Sequence, residues 1–311
     1  MDGIKDFDAF YEIKIRPLLD GLERERILAK QWGIGCLVAL ITGILFLITA
    51  QSFPGGPFGW LAFISLLVLL FSIYHYTIHN DLYTMGFKEQ VIQLIIQYLH
   101  PGIIYKPFSF ISSKLYRASG LYRARYTGIS GDDLLKGVYK GVPFQCSELD
   151  VENKRNTRRA NYPVFTGLFF SAKLNIGFYG GTYIWKRGEE QLGESIAEEH
   201  YRLLPLPKVY HVHTGHAVFN KYYSVYSTDP EEAHALVDDV MMENMLRFRK
   251  QIERDVVFSF VAGRCYVGIP VKEDLFEPAA NLGDKENARE HFFAVLLVLS
   301  IINQLQLNRW V

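Results

Sequence analysis

The segment YHVHTGH places three histidines, His211, His213 and His216, close together in the chain. If the segment is a β-strand, His211 and His213 share one face, because side chains alternate along a strand. Gly215 would let the backbone turn and bring His216 towards them, and three imidazoles can bind a catalytic zinc ion. The alternative is an exposed strand whose alternate residues happen to be histidine. Since no carboxylate lies nearby in sequence to orient the rings, we expect no metal ion.

Two adjacent carboxylates, Asp132 and Asp133, follow Gly131 and could serve in acid–base chemistry. Neighbouring side chains in a turn point in different directions, however, and aspartate is common in turns and at helix N-termini. We therefore expect a turn or a helix cap here, and we assign no catalytic residue from the sequence.

The densest local positive charge lies in a polar loop and comprises Lys154, Arg155, Arg158 and Arg159. Such a cluster could bind anionic lipid headgroups, which attract each nearby basic residue by about 1 kcal/mol, or an acidic protein partner. The alternative is a solvated loop whose charge is balanced by three acidic neighbours, Glu148, Asp150 and Glu152. We do not expect nucleic acid, because no aromatic side chains are interspersed among the charges.

The cysteines Cys36, Cys146 and Cys265 are too few and too far apart for a zinc ribbon or a CxxC redox pair. Their odd number fits a reducing compartment, where Cys146 and Cys265 are expected to be small core residues. The sequence also lacks the motifs of P-loops, dinucleotide-binding turns, HExxH metalloproteases and GxSxG hydrolases. We therefore expect no cofactor, and the sequence favours a protein without enzymatic activity.

The overall composition excludes a disordered or fibrous chain. Of the 311 residues, 49% are hydrophobic and 21% are charged, and 33 basic residues balance 33 acidic ones. Without net charge, no long-range field attracts the protein to polyanions. Any partner must therefore be recognised by a local patch.

The charges are unevenly distributed, since residues 31–80 contain no Asp, Glu, Lys or Arg. A bilayer core about 30 Å thick is crossed by about 20 helical residues. A turn rich in Pro and Gly divides this stretch into two spans of that size, at about residues 31–53 and 58–78. The sequence predicts a transmembrane helical hairpin at residues 31–80, preceded by an N-terminal cytoplasmic helical segment at residues 1–30.

Basic residues flank the hairpin at its two ends and are absent from its turn: Arg16, Arg24, Arg26, Lys30 and Lys88. Cytoplasmic flanks of membrane spans carry an excess of Lys and Arg. We therefore expect a multi-pass protein with both termini in the cytoplasm.

Small residues recur every four positions in the first span, at Gly35, Ala39 and Gly43. They form a smooth stripe that lets another helix approach closely. The stripe could pack against the second span or form a homodimer contact, and the sequence leaves both open.

Residues 81–311 are expected to form a cytoplasmic α+β domain. Runs rich in β-branched and aromatic residues predict strands that cluster between residues 138 and 185, with a later hairpin over residues 256–269. Helices are predicted at residues 91–99, 230–250 and 285–307. Strands that cluster, rather than alternate with helices, favour α+β over repeating βαβ units.

Three motifs, in this order, resemble a known bacterial membrane-protein family. They are FTGLFF at residues 165–170, VYSTDPEEA at residues 225–233, which is preceded by FNKY at residues 219–222, and DLFEP at residues 274–278. With the preceding hairpin, they are similar to the family catalogued as domain of unknown function 3137. The resemblance implies a membrane-anchored bacterial protein with no established activity, no catalytic residues and no characteristic histidine set.

Taken together, the sequence predicts a membrane-anchored scaffold or protein-binding module of the bacterial inner (plasma) membrane. Its partners would be the lipid bilayer and either another protein or further copies of itself. One alternative is a membrane-surface hydrolase whose site the fold assembles from scattered residues. A second is an oligomeric transport accessory protein, although two spans without intramembrane charge provide no polar pathway in a single copy.

Overall fold

The computed structural model describes residues 3–153, 162–175, 177–188, 208–278 and 285–311. These residues form helices and an antiparallel sheet, so the predicted α+β class is confirmed. The chain divides into two compact units, residues 1–95 with 276–291 and residues 96–275 with 292–311. We call them the hairpin unit and the sheet unit.

Two long helical segments make up most of the hairpin unit. The first consists of α1 (Gly3–Phe10), a π-helical turn (Tyr11–Ile15) and α2 (Arg16–Ser52). The second consists of α3 (Phe58–Gly86), a π-helical turn (Phe87–Ile92) and α4 (Gln93–Leu99), whose end belongs to the sheet unit. In the turn between α2 and α3, Gly55 has a φ of +90°, which residues with a Cβ rarely adopt.

Both segments are long and apolar enough to cross a membrane, judged by length and composition alone. Only 6% of the most apolar stretch of the first segment and 17% of that of the second are buried within the protein. A core helix of a soluble protein is mostly buried, so these two helices do not resemble one.

The strands of the sheet unit, within the described residues, form one sheet in which every pair is antiparallel. Their bounds are β1 (Ile104–Lys106), β2 (Gly128–Tyr139), β3 (Val142–Asn153), β4 (Tyr162–Lys173), β5 (Gly181–Lys186), β6 (Tyr210–Val212), β7 (Tyr223–Ser227), β8 (Val257–Val261) and β9 (Arg264–Pro270). The order across the sheet is β1-β2-β3-β4-β9-β8-β5-β7-β6. The two shortest strands, β1 and β6, are therefore its edges.

One face of the sheet is covered by a segment that contains α5 (Ser113–Ala118). The cluster formed there comprises Ile111, Tyr116, Leu121, Leu149, Val151, Phe165, Phe169 and Tyr266. Trp185 Nε1 on β5 donates a 2.9 Å hydrogen bond to the Leu121 carbonyl. This polar contact ties the covering segment to the sheet.

The opposite row of strand side chains is also buried, and it includes Cys146, Phe170 and Val267. The helices that follow β6 are α6 (Phe219–Tyr222), α7 (Pro230–Leu236), α8 (Asp239–Ile252) and α9 (Lys285–Gln304), with a 3₁₀ turn (Leu307–Trp310) at the end. The Trp310 ring lies edge-on to the Phe260 ring of β8, with 5.8 Å between centroids. The C-terminal turn therefore closes part of this face.

The single helix predicted at residues 230–250 is in fact two helices, α7 and α8. Val237 leaves the helical region, with φ −102° and ψ 58°. Asp238 then starts the second helix, because its side chain accepts a 2.7 Å hydrogen bond from the Met241 N–H. A local N-cap thus prevails over the continuous helical periodicity.

Candidate functional site

Carboxyl groups that are far apart in sequence meet where β2 pairs with β3: Asp132, Asp133, Glu148 and Asp274. A β-bulge shifts the register between Asp132 and Leu135. Asp133, at the bulge, has a φ of +55° and is only 1% exposed. The prediction that Asp132 and Asp133 form a turn or a helix cap is therefore wrong, because both lie within a strand.

The bulge at Asp133 is stabilised by the chain that follows β1. The Asp133 N–H donates to the Pro107 carbonyl (2.9 Å) and the Leu134 N–H to the Ser109 carbonyl (3.0 Å). The Tyr105 hydroxyl donates to the Asp133 carboxylate. These contacts pair the backbone groups that a bulge releases from the ladder, and they give the buried carboxylate a hydrogen-bond donor.

Glu148 lies opposite Asp132 on β3, and its Oε1 accepts a 3.0 Å hydrogen bond from the Leu275 N–H. Burial, with the neighbouring carboxyl groups of Asp133, Asp132 and Asp274, raises the pKa of Glu148 to about 8, against the opposing effect of the Leu275 hydrogen bond. Glu148 therefore holds a proton at neutral pH. A carboxylic acid beside carboxylates can donate and accept protons.

From the sequence alone, Glu148 is expected only to balance the charge of the basic loop. The alternation along β3 could have identified Glu148 as a partly buried carboxyl group, because it continues the row of Phe144 and Cys146, which are both buried. An acidic residue on the inward row of a strand is expected to have a perturbed pKa.

The three histidines of YHVHTGH do not converge on one point in the described structure. The rings of His211 and His213 lie 4.5 Å apart, both exposed to solvent. His216 instead pairs with Glu243 on α8, with 2.8 Å between its Nε2 and Oε1 of Glu243. Its Nδ1 accepts a 3.1 Å hydrogen bond from the Phe219 N–H. The structure thus brings two of the three imidazoles together and holds the third elsewhere.

The small-residue stripe of α2 faces α3. A Cβ built on Gly35 would lie 3.4 Å from Ser72 Oγ, and one on Gly43 would lie 3.5 Å from the Ser65 side chain. The Ser65 hydroxyl donates a 2.9 Å hydrogen bond to the Ala39 carbonyl. The stripe therefore permits the close approach of the two helices within one chain.

Lys88, which the sequence placed among the cytoplasmic flanking charges, is only 1% exposed. Its Nζ lies 2.6 Å from Glu277 Oε1 within the hairpin unit. A buried lysine paired with a carboxylate does not contact lipid headgroups, so the predicted orientation of the hairpin depends on the basic residues before the first span.

The basic loop residues Lys154, Arg155, Arg158 and Arg159 lie outside the described residues. The described chain before them ends at Asn153, whose Nδ2 donates a 2.7 Å hydrogen bond to the Arg125 carbonyl. The thiols of Cys146 and Cys265 are fully buried, and this burial raises their pKa. Such thiols are poor nucleophiles.

The second motif of the family resemblance, VYSTDPEEA, organises a turn before β5. Asp229 caps α7 by accepting from the N–H groups of Glu231 and Glu232. The Glu232 carboxylate accepts from the Tyr179 N–H (2.8 Å) and the Gly180 N–H (3.0 Å). The motif therefore has a structural role that its sequence alone did not reveal.

In the first motif, FTGLFF, Gly167 has a φ of +145° and lies against β9. A Cβ at this position would lie 2.2 Å from the Ile269 carbonyl oxygen. Only glycine can occupy it without displacing the neighbouring strand.

Comparison with solved structures finds a likeness to the crystal structure of the mycobacterial trehalose monomycolate transport factor A, TtfA. The two chains are 10% identical, and the TM-score is 0.35 over 70% of this chain and 96% of that one. No curated protein matches the chain in sequence.

Residues 163–307 match a family described as Protein of unknown function (DUF3137), and this range contains all three motifs. The resemblance to the DUF3137 family that the motifs predict is therefore confirmed over these residues of the sheet and helices.

Proposed function

We propose that the protein is a membrane-anchored scaffold or protein-binding module of a bacterial inner membrane, with the hairpin unit crossing the bilayer twice. The observation that carries this proposal is the exposed apolar surface of α2 and α3. Large side chains between 49% and 58% exposed include Leu37, Ile44, Phe63, Leu66 and Phe71.

A lipid environment explains the exposed apolar surface of α2 and α3 better than an aqueous environment does. Soluble monomers rarely expose an apolar patch larger than a few hundred Å². With 37 and 29 residues, α2 and α3 exceed the roughly 20 that cross a bilayer core. A charge at the centre of a span would cost about 2.5 to 3.5 kcal/mol, and residues 31–80 contain none.

The partner-binding surface in this proposal is the basic cluster Lys154, Arg155, Arg158 and Arg159, facing an acidic protein surface or anionic headgroups. In either case the attraction would be electrostatic and would weaken at high salt. Self-association is a further form of the same scaffold role.

The test is crosslinking of the full chain in native membranes, followed by affinity purification. One variant replaces the four basic loop residues with glutamine. A matched control replaces four exposed lysines of the sheet unit, Lys106, Lys136, Lys140 and Lys173, in the same way.

We expect the wild type and the control to retain one stoichiometric protein partner, and the loop variant to lose it. A partner retained by the loop variant would remove the basic cluster from the proposal. A monomer without any partner in the wild type would overturn the scaffold function.

A membrane-surface hydrolase is the second candidate, and the observation that favours it is the position of Glu148 opposite Asp132 and close to the buried Asp133. A hydrolase that uses this site should lose activity on Glu148→Gln, which keeps the shape of the side chain but cannot exchange a proton. The measurement is a screen of ester, peptide and phosphate substrates with the wild type and the variant. Equal activities for the two proteins would exclude this site.

A further inference from the structure

Two imidazoles, His211 and His213, lie at the edge of the sheet, and no hydrogen bond from the described residues occupies their nitrogens. His211 lies on β6, opposite Tyr226 of β7, and its ring contacts the Tyr226 ring at 5.0 Å. His213 follows one residue after the strand ends, and the two imidazole rings lie edge to face with 4.5 Å between centroids. The side chains thus project on the same side of the edge.

Within the described residues, neither His211 nor His213 has a hydrogen bond or an ion pair, and their contacts are those of the rings. His216 differs, because both of its nitrogens are engaged. Its Nδ1 accepts from the Phe219 N–H, so its Nε2 carries the proton donated to Glu243. His216 therefore has no lone pair available to a metal ion in this arrangement.

We propose that His211 and His213 bind one divalent transition-metal ion, with water in the remaining coordination positions. Imidazole nitrogens bind Ni²⁺, Cu²⁺ and Zn²⁺, at about 2.0–2.1 Å in the case of zinc. Two nitrogens on one ion then lie about 3 Å apart. Exposed rings whose centroids are already 4.5 Å apart reach that separation by side-chain rotation alone.

The expected site has a defined order of metal affinities and a defined set of protein ligands. Affinity at a nitrogen site rises from Ni²⁺ to Cu²⁺ and falls again at Zn²⁺, so Cu²⁺ is the most sensitive probe. The site uses two histidines, whereas the sequence considered three. Neither the scaffold function nor the family match requires it.

The test is titration of the full-length protein in detergent with Cu²⁺, using an affinity tag that contains no histidine. Isothermal calorimetry gives the affinity, and the nitrogen hyperfine pattern of the bound Cu²⁺ in electron paramagnetic resonance counts the imidazoles. The variants are His211→Ala and His213→Ala. The controls are His216→Ala and His234→Ala, the latter at an exposed histidine of α7.

We expect His211→Ala and His213→Ala each to weaken Cu²⁺ binding at least tenfold and to remove one nitrogen from the spectrum. Both controls should stay within twofold of the wild type. Wild-type affinity in either His211→Ala or His213→Ala would overturn the proposal. An equal loss in His216→Ala would also overturn it, because the third histidine would then be a ligand. Melting temperatures without metal identify any misfolded variant, for which the glutamine replacement is measured instead.

Discussion

At the scale of single residues, Glu148 is the carboxyl group of the cluster whose pKa is clearly raised. Its pKa of about 8 lies far above the value of about 4.3 expected for an unfolded chain. At a pH between these two pKa values, the Glu148 carboxyl group is ionised in the unfolded state and protonated in the folded state. The contribution of Glu148 to stability is therefore complete below about pH 4 and is lost as the pH rises to about 8.

This linkage predicts a pH-dependent effect of Glu148→Gln. The free energy of unfolding of the wild type, relative to that of the variant, should fall by about 1 to 3 kcal/mol between pH 5.5 and pH 8. The measurement is chemical denaturation of the full chain in detergent at several pH values, followed by tryptophan fluorescence.

The matched control is Glu273→Gln. A hydrogen bond from its own backbone N–H and the nearby Arg254 lower the pKa of Glu273, so its titration lies below this pH range. The control difference should stay constant from pH 5.5 to pH 8. A constant difference for Glu148→Gln as well would show that this carboxyl group ionises normally in the folded protein.

At the scale of elements, the start of α7 determines how β5 begins. Glu232 accepts both backbone N–H groups of the turn at Tyr179 and Gly180, and a Cβ at Gly180 would lie 2.5 Å from the same carboxylate. The carboxylate, the helix start and the glycine therefore form one interdependent unit.

Removing this carboxylate should destabilise the turn. Glu232→Ala leaves two backbone donors without an acceptor, each worth about 0.5 to 1.5 kcal/mol. We expect a loss of about 1 to 3 kcal/mol in the free energy of unfolding, measured by chemical denaturation at pH 7. The neighbouring Glu231→Ala removes an exposed carboxylate of the same helical turn and should cost less than about 1 kcal/mol. Equal losses of unfolding free energy in both variants would indicate that Glu232 stabilises the protein only through the helix dipole and not through its hydrogen bonds to the turn.

The elements that could be predicted from the sequence are those with a long local pattern. β3, β4, β8 and β9 alternate apolar and polar residues or lie at a glycine turn, and α7 has Asp229 and Pro230 at its start. β1 and β6 have three residues each and therefore no periodicity. Residues 128–137 of β2 are not predicted as a strand, because Gly131, Asp132 and Asp133 have low β-propensity, and pairing with β3 overrides that propensity.

The carboxyl cluster could not be found in the same way. Asp133, Glu148 and Asp274 are separated by many residues, and only strand pairing and the loop after β9 bring them together. The histidine pair was partly predictable, because alternation along a strand puts His211 and His213 on one side. The position of His216 away from the other two histidines could not be predicted, because it depends on the contact with Glu243 of α8.

At the scale of the whole molecule, the family match begins at residue 163 and does not include the hairpin. The orientation of the hairpin therefore depends on physical arguments about its ends. Lys88 is buried, so the cationic flank consists of Arg16, Arg24, Arg26 and Lys30, and the turn at residues 53–57 has no charge. An excess of basic residues on one side keeps that side in the cytoplasm.

We therefore expect the turn between α2 and α3 to lie outside the cytoplasm, while both chain ends lie inside it. Single cysteines can be introduced as Ser52→Cys at the turn, Asp20→Cys before the first span and Val311→Cys at the C-terminus, all exposed positions. Cys36→Ser provides the background, because Cys146 and Cys265 are fully buried. In intact bacterial cells, a membrane-impermeant maleimide should label only Ser52→Cys, and the other two should react after lysis. Labelling of Asp20→Cys and Val311→Cys from the outside, with Ser52→Cys protected until lysis, would reverse this orientation and contradict its explanation by the basic flank.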